Sequence, residues 1–182
     1  MSKLFKYDKA VNSLLYALQQ LGGKTDMHKL CKILYFADQR HLSKYGRSIT
    51  GDTYIAMQFG PVPSCVDDML KALRGDSFFS ASDEIKPLKA CMAFENRFII
   101  RSLKSPDMDE LSASDVECLD YAIGICKDKN FAELTAYSHG LAWNNTQRDR
   151  AMSVKDILRE AGDEEAYVEF IADNLKLQAA FL

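Results

Sequence analysis

The sequence predicts an α+β fold, mainly α, with about seven helices around a long central helix and a small antiparallel three-stranded sheet. Three observations lead there. Apolar residues recur at helical spacing through most of the chain. One segment, Leu30-Cys31-Lys32-Ile33-Leu34-Tyr35-Phe36-Ala37, is apolar on almost every side within a much longer helical stretch. Three short β-rich runs lie embedded among the helices instead of alternating with them. Repeats and low-complexity tracts are absent, and residues 1–182 read as one domain.

Taken in order, Val11, Leu14, Leu15, Leu18 and Leu21 mark the apolar face of a first helix, which Gly22-Gly23 stops. Thr25 or Asp26 caps a second helix that continues to Tyr45 and ends at Gly46. Its length, about 30 Å, approaches the diameter expected of the whole domain, which makes it the core helix. Thr53–Phe59 reads as a strand, and Gly60-Pro61-Val62-Pro63 as the break after it. A third helix then starts near Pro61 or Ser64 and runs to Arg74-Gly75. Beyond a polar loop at 76–86, Leu88–Phe94 and Arg97–Ser102 read as strands joined at Glu95-Asn96. Ser105-Pro106-Asp107 links these to a helix beginning at Ser112 or Ser114 and carrying Val116, Leu119, Ala122, Ile123 and Cys126. Phe131–His139, Ser153–Ala161 and Glu164–Leu182 complete the helices.

Composition narrows the function classes. The chain is 47% hydrophobic and 27% charged, the balance of a soluble globular protein with a sizeable core. Its net charge of −3 supplies no general attraction for nucleic acid, so any DNA contact needs a local patch. No apolar run is long enough to span a bilayer, and Met1–Asp8 lacks a signal-peptide core. Five cysteines, none in a CxxC pair, read as reduced and mostly buried thiols. A cytoplasmic setting is expected.

Few residues offer chemistry of their own. Asp38 and His41 stand three apart on the second helix, but a metal needs a third ligand, and placement on the surface near the helix end accounts for both. His28 and Cys31 share the same spacing, and the apolar setting of Cys31 argues for a core thiol over a nucleophile. Phosphate-cradling, nucleophile-elbow and zinc-helix motifs are all missing. No catalytic residue, cofactor or metal is expected. Arg40, Lys44 and Arg47 form a basic strip, and Arg97 and Arg101 share a face of the last strand. Together these define the alternative reading, a DNA-binding regulator with a basic helix end and a hairpin wing. His139 and Trp143, one turn apart, are placed to stack.

The series Ile33-Leu34-Tyr35-Phe36-Ala37-Asp38, Tyr45-Gly46-Arg47, Ile49-Thr50-Gly51-Asp52, Tyr54-Ile55-Ala56 and Gly60-Pro61-Val62-Pro63, with Ser138-His139 and Trp143 further on, resembles the Panacea domain family of SocA-like and phage-associated proteins. The likeness covers about residues 10–143 and leaves a C-terminal helical extension, 144–182. It implies an antitoxin that neutralises a cognate protein toxin, encoded by an adjacent gene, through direct binding. Some members of the family deliver their toxin to a protease. The implied motif residues are Tyr35, Gly46, Arg47, Gly51, Asp52, Tyr54, Gly60, Pro61, Val62, His139 and Trp143. Most of them read as scaffold: Gly46 and Gly51 permit sharp turns, Arg47 and Asp52 are placed to pair across the loop, and Gly60-Pro61 redirects the chain. Toxin contacts are then expected in variable segments such as 76–86 or the C-terminal helices.

Overall fold

Helix α1 (Tyr7–Gln20) and strand β1 (Lys24–Asp26) lead into α2 (Met27–Tyr45), whose Leu30, Ile33, Leu34, Tyr35 and Ala37 are sealed from water. The computed structural model describes residues 4–77 and 85–181. The Asp26 carboxylate accepts the Lys29 amide at 2.8 Å and caps α2, and Gly46 closes it in the left-handed conformation. The central helix is therefore where the sequence puts it.

The next stretch differs from expectation. Strand β2 (Tyr54–Met57) turns directly into β3 (Gly60–Pro63), so the Gly-Pro-Val-Pro run is itself a strand, and α3 (Ser64–Arg74) follows from Ser64. The register explains how two prolines fit. Pro61 and Pro63 lie opposite Ala56 and Tyr54, whose backbone groups bond instead to residues 149–152, so β2 asks no N–H of either proline. The Asp52 carboxylate does not pair with Arg47. It accepts the Cys65 and Val66 amides at 2.9 and 3.0 Å, holding the first turn of α3, where its charge suits the helix dipole.

Residues 78–84 of the polar loop lie outside the described residues. After it, Leu88 is helical: α4 (Lys86–Cys91) carries Pro87 in its first turn, and only β4 (Met92–Phe94) of the expected first strand is extended. The Asn96 side chain accepts the Phe98 and Ile99 amides, so Arg97 sits in the turn and β5 (Ile99–Ser102) begins after it. The three-stranded antiparallel sheet runs β1-β5-β4, with Thr25 opposite Ile100 and Ala93 opposite Arg101. Its third member is thus the unforeseen β1, while β2 and β3 make a separate hairpin.

Ser112 and Asn130 begin α5 (Ala113–Cys126) and α6 (Phe131–Ser138), each with a capping box. A short α7 (Leu141–Asn144) was not anticipated, and α8 (Val154–Ala161) and α9 (Glu165–Ala180) follow it. Helices α1, α5, α6 and α8 all pack on α2. The fold is mainly α with nine helices among the described residues, an α+β arrangement.

Candidate functional site

The motif residues gather along α2 in four inward-facing clusters. In the first, Asp38 is buried, not on the surface. Its carboxylate accepts the Ile49 and Thr50 amides, the Thr50 hydroxyl at 2.6 Å and the Tyr54 hydroxyl at 2.8 Å. Burial pushes the carboxyl above the usual range, against the pull of those bonds. The adjacent Gly51 has φ +69°, and a Cβ there would fall 1.9 Å from the Leu4 carbonyl oxygen, so the turn excludes any side chain.

The second cluster forms at the end of α2. His41 is also buried, with Nδ1 2.7 Å from the Arg47 carbonyl and Nε2 3.1 Å from both Ser114 Oγ and Asp115 Oδ1. Arg47 lies 3.4 Å from Asp115, which also meets Lys9. Burial alone would raise the Asp115 carboxyl; hydrogen bonds from Lys9 and Ser112 outweigh it and hold the group below its usual value.

The third cluster joins α2 to the hairpin through a residue the sequence reading passed over. Lys32 is wholly buried, and its ammonium donates to the Pro61 carbonyl at 2.8 Å. Burial lowers its pKa to about 8. Gly60, at φ +94°, allows the approach: a Cβ would stand 2.2 Å from Ser138 Oγ and 3.0 Å from Lys32 Nζ. A single charge inside the apolar run 30–37 was the available signal. In the fourth cluster, His139 and Trp143 stack with ring centroids 3.6 Å apart and 6° between planes, as their spacing predicts. The Trp143 indole donates to the Met57 carbonyl, tying α7 to β2.

Val62 is half-buried on β3, and the Tyr35 hydroxyl donates to Glu160 at 2.8 Å. Glu160 also accepts from Gln39 and from the Ala142 amide. It floors a groove of about 240 Å³ whose walls include Phe36, Arg40, Tyr121, Ile125 and Tyr137.

The basic residues are not brought to one face. Arg97 and Arg101 belong to the sheet end, where β5 pairs with β1 at the start of α2, whereas Arg40, Lys44 and Arg47 occupy the other end, about 25 Å along the helix. Lys44 pairs with Glu117 and Arg47 with Asp115. Cys31, Cys65, Cys118 and Cys126 are buried and none of the five cysteines is in a disulfide among the described residues; burial pushes Cys31 and Cys126 up to about 12. Among the described residues no group of three His, Cys, Asp or Glu could hold a metal ion, and no helix is long and apolar enough to cross a membrane.

Comparison with curated proteins and with solved structures gives no match. The profile of the family described as "Antitoxin SocA-like, Panacea domain" matches residues 30–144, from the core of α2 through the His139–Trp143 stack, and the chain belongs to that family.

Proposed function

We propose that this protein is the antitoxin of a toxin–antitoxin pair and neutralises a cognate protein toxin by direct binding. The observation that carries the reading is the family match over residues 30–144. The inward engagement of the motif residues supports it: Asp38, Asp52, Tyr54, Gly60 and Trp143 are committed to holding the scaffold, and the outer faces are left to serve recognition. The same membership supports a non-catalytic role.

The test is to purify a tagged copy expressed from its own locus, after nuclease treatment and a moderate-salt wash. A stoichiometric protein from the adjacent gene, toxic alone and tolerated with this chain, is the expected result. A neighbour that neither binds nor harms the cell refutes the reading, and retained nuclease-protected DNA puts the regulator in its place. The toxin's half-life with and without the antitoxin separates blocking from delivery to a protease.

A further inference from the structure

The groove over α2 has features of a docking surface. Phe36, Arg40 and Ser43 recur at helical spacing on α2 and line the groove between α5 and α6, with Lys29 two turns before Phe36 on the same helix. Along it, the Arg40 guanidinium lies 4.8 Å from the Tyr121 ring centroid, and Lys129 Nζ lies 5.1 Å from that of Tyr137. Tyr137 packs edge-on against Phe36, while Phe131 meets Phe59 edge-on further along α6. Tyr121, Phe131, Tyr137 and Phe59 are each about half exposed, at 48%, 50%, 52% and 47%. Large aromatics and arginine on a concave surface are the side chains that anchor protein interfaces.

Among the described residues, the cations of this surface form no close ion pair. Elsewhere Lys9, Lys24, Lys44, Lys71, Lys155 and Arg159 each have a carboxylate within ion-pair distance. Lys29, Arg40 and Lys129 have none among the described residues; Lys29 and Lys129 donate only to the Lys127 and Ile125 carbonyls. The acids nearest them are already engaged, Glu117, whose carboxylate feels Arg40, by Lys44 and Tyr45. Glu160 is saturated by Tyr35, Gln39 and the Ala142 amide, and Glu133 accepts the Asn130 amide in its capping box.

We infer that this groove docks an acidic segment of the partner protein, with an apolar or aromatic side chain entering between Tyr121 and Tyr137 and carboxylates meeting Arg40 and Lys129. The partner is the toxin of the preceding section, and the inference rests on that reading. Aromatics beside cations also suit single-stranded nucleic acid. Three cations on a chain of net charge −3 favour an acidic protein segment over a polyphosphate.

The test uses the full chain as wild type, as Arg40→Glu, as Arg40→Glu with Lys129→Glu, and as Tyr121→Ala with Tyr137→Ala. Arg97→Glu with Arg101→Glu, which do not line the groove, is the charge-matched control, and thermal melting checks folding. Each is titrated with the adjacent-gene product, a random glutamate–tyrosine copolymer and single-stranded oligo-dT. The expected result is about tenfold or greater weakening toward the first two probes in the groove variants, with the control unchanged and wild-type binding salt-sensitive. Toxin bound equally by every variant overturns the groove and leaves the antitoxin reading standing. Groove-dependent binding of the copolymer, with no binding of the adjacent-gene product, supports the groove and refutes that reading. Binding of neither overturns both, and groove-dependent capture of oligo-dT alone overturns the acidic-protein assignment.

Discussion

The ammonium of Lys32 donates to the Pro61 carbonyl at 2.8 Å, in a pocket with no carboxylate to balance its charge. This contact fastens the central helix to the β2–β3 hairpin at an electrostatic cost. Folding lowers the lysine from 10.5 to about 8, so between those values Lys32 itself is protonated more in the unfolded chain than in the folded one. The lysine's own contribution to stability should therefore rise as pH climbs through that window, by about 3 kcal/mol, while Cys31 and Cys126, pushed up to about 12 by burial, pull the other way above pH 9. Denaturant unfolding at several pH values reads this directly. The comparison with Lys32→Met isolates it, since that variant keeps the cysteine titrations: the stability difference should shift in favour of the wild type as pH rises from 8 to 10.5.

Gly60 sits where Lys32 and Ser138 converge, so Gly60→Ala must move one of them while also forcing a side chain into positive φ. A loss of about 2–4 kcal/mol is expected from urea unfolding. The same change in a Ser138→Ala background should cost measurably less, because the nearest clash has gone. Equal costs in both backgrounds would place the strain elsewhere.

Asp38 binds the turn after α2 to the hairpin through Thr50 and Tyr54. Asp38→Asn should lower stability by about 2–4 kcal/mol and Tyr54→Phe by about 1–3 kcal/mol. The double variant should lose less than the sum, since the first change already breaks the bond that the second removes.

All three histidines are held below their ordinary value, in each case chiefly by burial, with His28 lowered to about 4. Below pH 6.5 the unfolded chain takes up protons that the folded one refuses, so stability should fall as pH drops from 6.5 toward 4. The melting temperature across that range should decline, and more shallowly in His28→Gln. A flat profile would mean the imidazoles are protonated in place.

Local patterns carried much of this fold. The Asp26 cap, the Gly46 stop and the apolar run between them place α2 without further help, and the four-residue spacing of His139 and Trp143 is enough to predict their stack. What failed depended on contacts distant in the chain. Asp38 and His41 look like surface residues near a helix end until Thr50, Tyr54 and Ser114 fold over them. Arg47 finds Asp115 on α5 instead of the nearer Asp52, whose carboxylate is taken by the amides opening α3. Leu88–Phe94 is an apolar run too short for periodicity to separate helix from strand, and Pro87 decided it. The groove was illegible for the same reason: Tyr121 and Tyr137 become its walls only once α5 and α6 are laid against α2.

The two prolines of β3 have a bearing on how the hairpin seats against α2. With Ala56 and Tyr54 opposite them, Pro61 and Pro63 occupy the positions whose amide nitrogens face away from the hairpin, and neither nitrogen carries a hydrogen. The carbonyl between them on that outer rim is claimed by Lys32. This rim is buried against α2 and α6, so the prolines bring into it no amide hydrogen that would need a partner, and its acceptor at Pro61 is filled.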